Sequence, residues 1–423
     1  MLRGPTKRQP ETVCVLDIGS NKVVCLIGRE EPGLGVRIIG SGFGVSSGLK
    51  GGAVVDLEAA EIGIRAAVEK AERAAGITVQ DVCVNVALRS MRSKHMTVQT
   101  EFASGAVVDR DLKRVLNSSM SELSQAEDAI LHAIPLNWQV DGEDGIRDPR
   151  GMYGRKLGVD MHFVQGGIGP LRNLAHCIER CHLTIRSVTV SPYAAALSVL
   201  TEDERDLGVT LIDLGAGITS AAIFRDNTLV HVDALGVGGR NITSDLARGL
   251  STPFEAAERI KMIYGSCLHG ADDETAMVPC PPIAAQDELH YVERSMVTNI
   301  IRSRVEETLE LLRERIFTAG LESYSGRQVV LTGGGAHLNG VRELATHVLG
   351  KRVRIGQPHG VFGLSDELSQ PDFAVATGLL KQVFDDREEV VSGPPDLSGR
   401  RLRAKRYSGN AVARSVQWLR ENF

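Results

Sequence analysis

No apolar run in this 423-residue chain approaches the ~20 residues that a membrane-spanning helix needs. Its seven cysteines follow no paired spacing scheme, which argues against a disulfide framework and for a reducing, cytosolic setting. The tail, residues 1–11, is polar and charged, with Pro5 and Pro10, and lacks the apolar core of a signal peptide. The formal net charge of −5 counts against a general nucleic-acid binder. What is there is a globular composition. At 43% hydrophobic and 24% charged residues, the chain suits two or more domains.

The organising stretch is Val209 to Ser220, VTLIDLGAGITS. Four strand-type residues lead to Asp213, a Gly-x-Gly turn follows, and Ala221 to Phe224 climb back, so a hairpin is expected. Gly215 and Gly217 remove the Cβ atoms that would keep a phosphate from the N–H groups of the turn. Asp213 stands where a hydrated divalent cation would find a carboxylate. An ordinary turn with a capping aspartate explains this motif taken alone, because short glycine motifs recur by chance.

It is not alone. Val13 to Lys22, VCVLDIGSNK, repeats the pattern around Asp17, Gly19 and Ser20, and the apolar run Val23 to Ile27 follows it. The two aspartates lie roughly 200 residues apart, a domain-sized repeat rather than a solenoid period. Val329 to Gly340, VVLTGGGAHLNG, adds a strand, three glycines and an expected helix start. Bare backbone at Gly333, Gly334 and Gly335 would let a flat base or ribose lie close, and a helix N-terminus favours anions.

This set resembles the two phosphate motifs and the adenosine motif of the actin, sugar-kinase and heat-shock-chaperone ATPase superfamily. The resemblance implies an α/β fold of duplicated, ribonuclease H-like domains around a nucleotide cleft. ATP or ADP with Mg²⁺ would be the cofactor. Gly19, Ser20, Asn21, Lys22, Gly215, Ala216 and Gly217 would hold phosphates, and Asp17 and Asp213 the Mg²⁺, directly or through water. Gly238 and Gly239 would lie beside the phosphates. Glu258 and Lys261, at i,i+3 on one helix face, would contact ribose and base, although a solvated ion pair explains them equally well. Ser191 opens the expected crossing helix where chaperones carry a glutamate. No other group is placed to activate water, so tight binding with slow hydrolysis is expected.

The remaining chain fills in the domains. A strand over Val36 to Phe43 precedes an expected loop marked by Gly40, Gly42, Gly44 and Gly48, and a helix runs from Leu57 to Ala75. Asp109 is expected to cap a helix with Leu112, Val115, Leu116, Met120 and Leu123 on one stripe. A strand follows through Leu157, Val159, Met161 and Phe163. His132 and Trp138 read as core residues. Cys177 and Cys181 between His176 and His182 suggest a buried helix face rather than zinc. Helices are expected over Phe254 to Gly265, Val292 to Phe317 and Asp372 to Leu380, and a Pro-rich acidic loop over Leu268 to Glu288.

From Asp385 the composition becomes that of a linker. Residues 400–423 carry seven basic residues and one acidic residue. Arg403, Lys405 and Arg406 precede a helical pattern in which Val412, Val416, Leu419 and Phe423 form one stripe beside Trp418. An amphipathic helix next to a basic cluster should lie on an anionic membrane surface.

His132, Ile134, Pro135, Val140, Asp141, Gly145, Asp148, Pro149 and Gly151 resemble the insertion of the bacterial FtsA cell-division family. That family similarity extends over nearly the whole chain. It implies actin-like domain I over 12–95 and 173–206, a small α+β insertion over 96–172, and domain II over 207–385, with an outer part at 250–310. A linker at 386–408 and a membrane-targeting amphipathic helix at 409–423 complete the chain. It further implies a peripheral protein on the cytoplasmic face of the inner membrane at midcell. There it would tether FtsZ, polymerise into filaments, bind anionic lipids and recruit later division proteins, with no nucleic-acid role. FtsZ contact is expected on the outer part of domain II. The competing readings are a small-molecule kinase of the superfamily and a pilus-assembly or chaperone-like relative.

Overall fold

The computed structural model describes residues 11–31, 35–123, 128–284 and 288–384. The linker and terminal-helix expectations, including Arg403, Lys405, Arg406, Val412, Val416, Trp418, Leu419 and Phe423, lie outside the described residues.

Domain I opens with β1 (Thr12–Ile18), β2 (Lys22–Glu31), β3 (Gly35–Val45), a short pair β4 (Leu49–Lys50) and β5 (Ala53–Val54), α1 (Leu57–Ala75) and β6 (Asp81–Val86). The insertion holds β7 (Arg92–Ala106), α2 (Asp109–Leu123), β8 (Asp128–Val140), β9 (Glu143–Ile146) and β10 (Tyr153–Gly167). The chain returns through α3 (Ile168–Arg180), β11 (Thr184–Val190), α4 (Ser191–Val199) and α5 (Glu202–Leu207). Domain II contains β12 (Val209–Leu214), β13 (Thr219–Arg225), β14 (Thr228–Leu235), α6 (Gly239–Gly249) and α7 (Phe254–Tyr264). It continues with β15 (Met277–Cys280), β16 (His290–Glu293), α8 (Arg294–Thr318), β17 (Gln328–Thr332), α9 (Val341–Leu349) and β18 (Arg352–Ile355). Finally, α10 (Ala374–Val383) packs back on β1 and α4.

The duplication is structural. Domain I has strand order β11-β6-β1-β2-β3 and domain II β14-β13-β12-β17-β18. In each, three antiparallel strands joined by hairpins are continued by two parallel ones. The insertion makes a separate four-stranded sheet, β7-β10-β8-β9, with α2 on one face. Val115, Leu157, Met161 and Phe163 form its own core, which is why it reads as a small domain.

Several local expectations are corrected. Gly40, Gly42 and Gly44 do not form a loop but lie within β3. A Cβ at Gly40 or Gly42 would sit 2.5 Å from Ala71 O or 2.2 Å from Ala67 O. These alternating glycines let α1 rest on the strand face. Asp109 is inside α2 and pairs with Arg150 at 2.6 Å, while Asp111 accepts from the Val108 N–H at 3.2 Å. The loop at Leu268 to Glu288 contains β15, paired with β16, so α8 begins at Arg294. That pairing joins two four-residue strands, each too short to stand out along the chain. The final α-helix begins at Ala374, because Pro371–Phe373 forms a 3₁₀ turn. Thr332 leads not into an α-helix but into a 3₁₀ turn, Gly334–His337. His132 is buried and accepts the Val190 N–H at 3.1 Å, tying the insertion to domain I.

Candidate functional site

The site is built from one hairpin made twice. Asp17 is the penultimate residue of β1, as Asp213 is of β12. The Gly19 N–H donates to Lys22 O, and the Gly215 N–H donates to Ile218 O, both at 3.0 Å. A Cβ would lie 2.9 Å from Lys22 O at Gly19 and 2.6 Å from Ile218 O at Gly215, so glycine is what lets each turn close.

The two turns face one another across the cleft between the domains. A Cβ on Gly217 would stand 2.6 Å from Ser20 Oγ and 3.1 Å from Gly51 N. The N–H groups of Ser20, Asn21, Ala216 and Gly217 have no partner among the described residues. Converging free N–H groups of this kind suit an anion such as a phosphate.

Asp17 and Asp213 have no hydrogen-bond or ion-pair partner among the described residues. Burial raises Asp17 to about 7, with Lys22 opposing and Asp213 and Asp372 adding to the rise. Burial also raises Asp213 to about 6. Among the described residues, the cation that opposes Asp17, Lys22, is shared with Asp372, and Asp213 lacks a counter-charge. The donor set fits a hydrated divalent cation, which would supply it.

Lys22 forms an ion pair with Asp372, and its ammonium lies 3.3 Å from the centroid of the Phe373 ring. The His337 Nε2 lies 3.0 Å from the other Asp372 oxygen. Burial works to raise Asp372, but the bonds from Lys22 and His337 hold its carboxyl below the ordinary value. Asp372 therefore belongs to the site although the sequence marks it only as the start of a helix. No spacing could have found it.

The glycines of the third motif serve a purpose beyond bare backbone. Gly333 has φ +80°, and a Cβ there would lie 2.2 Å from Asp213 Oδ1. Its N–H donates to Pro371 O at 3.1 Å. A Cβ at Gly335 would lie 2.7 Å from the Leu214 Cβ. Both let the 3₁₀ turn close on the end of β12. Gly334 faces open space, with the Asp372 Cβ 4.0 Å away.

Gly238 and Gly239 brace the second turn. A Cβ on Gly238 would sit 2.5 Å from Gly215 O and 2.7 Å from Ala216 O. The N–H groups of Gly239 and Arg240 donate to those same carbonyls at 3.0 and 2.8 Å. The first donors of α6 are thus spent on the turn. Glu258 and Lys261 continue this brace. Lys261 Nζ lies 2.7 Å from Glu258 Oε2, 2.8 Å from Thr243 Oγ1 and 3.2 Å from Gly239 O. With Lys261 only 13% exposed, this is a network between α6 and α7, not a solvated pair. Lys261→Met should cost about 1–2 kcal/mol, because Glu258 and the Gly239 carbonyl lose their shared donor. Thermal unfolding checks this, and an unchanged midpoint would refute it.

Fold and site together define an actin-like two-domain protein with a small sheet inserted into its first domain. A family model described as cell division protein FtsA matches residues 210–378, and one for the SHS2 domain inserted in FtsA matches 89–165. The chain belongs to the FtsA family. It is 41% identical to cell division protein FtsA of Rhizobium meliloti, over 99% of this chain and 96% of the relative. To the Escherichia coli K12 protein it is 30% identical, over 96% and 97%. Among solved structures it is similar to a PilM-PilN type IV pilus biogenesis complex, with TM-score 0.64 and 18% identity over 88% of this chain and 98% of that one. It is also similar to MreB5 of Spiroplasma citri bound to ADP, with TM-score 0.52 and 14% identity over 89% and 96%. Those two likenesses are of fold. Among the described residues, no helix is long and apolar enough to cross a membrane.

Proposed function

We propose that this cell-division protein binds ATP or ADP with Mg²⁺ in the cleft between its two domains and tethers the FtsZ ring to the inner membrane. The observation that carries the nucleotide reading is the pair of facing hairpins, each with an unpartnered aspartate at its strand end. Asp17 and Asp213 would hold the cation. The N–H groups of Ser20, Asn21, Ala216 and Gly217 would meet phosphate oxygens, and Lys22 would exchange Asp372 for a phosphate. The Gly334 backbone would face the adenosine. When bound, the metal neutralises phosphate charge. With no carboxylate or histidine in place of Ser191 to activate a water, hydrolysis would be slow at most.

The tether reading rests on the basic cluster and apolar stripe of residues 400–423 and on family membership. A single short amphipathic helix binds membranes weakly. Filament formation would present many helices at once and raise the avidity. Full-length chain should co-sediment with anionic liposomes and carry FtsZ with it, whereas a chain ending at Ser408 should stay in solution. If both sediment equally, or neither does, the terminal segment is not the anchor. A shared loss of FtsZ recruitment would then leave only the nucleotide reading.

A further inference from the structure

β14 is an edge strand of the domain II sheet. No further strand covers its outer edge among the described residues. Side chains from β7 and β10 of the inserted sheet meet it instead. His162 Nδ1 lies 2.9 Å from Leu229 O, and His95 Nε2 lies 2.7 Å from Val230 O. The Val232 N–H donates to Ser93 Oγ at 2.7 Å, and that hydroxyl is 2.7 Å from His162 Nε2. The Ser93 hydroxyl also lies 3.0 Å from Val232 O, and its single proton serves either that carbonyl or His162 Nε2. With neutral rings, His162 donates from Nδ1 to Leu229 O and its Nε2 accepts the Ser93 proton.

The imidazoles are stacked. His95 and His162 have centroids 5.0 Å apart at 15°, and His95 and His231 lie 6.4 Å apart at 13°. His231 Nδ1 is buried with no hydrogen-bond partner among the described residues. The charged and titratable groups facing the stack are few. From β14 comes Asp233, which Arg315 of α8 holds at 2.9 Å, and from β8 comes His132, which is itself buried.

We propose that the His95–His162–His231 stack is a proton-sensitive latch that docks the inserted sheet on the edge of domain II. The docked form favours neutral His162 and His231, because charging rings stacked in a buried site costs both desolvation and mutual repulsion. Burial, together with the neighbouring histidines, holds His162 well below its ordinary value, against the Leu229 bond. Burial lowers His231 to about 4, with Asp233 opposing and His95 adding. The sign follows. Released rings would titrate near the ordinary ~6.5, so docking is full above that pH and weakens as pH falls from it toward about 4.

The Val232 amide reports on the latch, since its partner is Ser93 rather than another strand. Amide-resolved hydrogen exchange on the full chain should be compared at about pH 7.5 and about pH 5.5, after correction for intrinsic rates. His231 alone predicts a rise of about tenfold in Val232 exchange at the lower pH. Amides of β12 and β13 should be unchanged. His231→Asn should lose about half of the rise on a logarithmic scale, and the double variant His162→Gln with His231→Asn, which removes both buried rings and keeps a donor for Leu229 O, should lose most of it. Equal Val232 protection at both pH values would overturn the latch. So would a full rise in both variants, or an equal rise in β12 and β13, which would signal general unfolding.

Discussion

Gly378→Ala should lower the thermal midpoint more than any other single substitution considered for this chain. The added methyl would stand 1.6 Å from Ala194 O and 2.4 Å from the Ala194 carbonyl carbon. Both belong to the backbone of α4, so no side chain can turn aside. Helices α4 and α10 would have to separate, and they join both domains to the core through Ala194, Ala195, Ala376 and Leu380, all fully buried. Overpacking of this kind costs about 3 kcal/mol or more. For a chain of this size that is a fall of about 4 °C or more. A midpoint within about 1 °C of the parent would show that the helices tolerate separation.

The second large effect concerns Asp17 and Asp213. The double substitution to asparagine should weaken Mg²⁺-dependent nucleotide binding at least about 100-fold, because both carboxylates proposed to face the cation are gone. In EDTA without nucleotide it should do the opposite to stability. Both acids titrate higher in the folded chain than their ordinary values, at about 7 and about 6. The folded protein therefore binds more protons than the unfolded one between about pH 4 and 7, and stability falls as pH rises through that window. Asparagine removes this burden. A gain on the order of 2 kcal/mol at about pH 8, vanishing near pH 4, is expected, with Asp213 contributing less because it keeps some access to the cleft. Isothermal titration and thermal melts at the two pH values separate the effects. A destabilised variant at high pH would mean that each carboxylate has a partner that the geometry does not reveal. The pair would then be a case of stability yielded to function.

Much of this was legible along the chain because the signals are local. Apolar residues followed by Asp and Gly specify strand and turn within a few positions, and their recurrence around Asp213 and Asp17 announced a duplicated domain. Helix α1 could be bounded to the residue, since Asp56 caps its start by accepting the Ala59 N–H and Gly76 ends it at φ 68°. The glycines of β3 read locally as a loop, because their meaning depends on which helix lies above them and a strand segment does not say so. β15 and β16 are not legible along the chain either, since each is short and gains its conformation from the other.

The site divides in the same way. The sequence by itself determined the two Asp-Gly hairpins, the three-glycine turn and the basic charge of the terminal segment, because each is a pattern of neighbouring residues. Only the tertiary structure decided that Lys22 meets Asp372, 350 residues away, that Gly333 and Gly335 are spared a Cβ by β12, and that three histidines from β7, β10 and β14 stack in one interface. Such contacts have no periodicity and no local propensity. They exist only once two sheets and their insertion have been brought together, and burial then sets the protonation of Asp17, Asp213, His162 and His231.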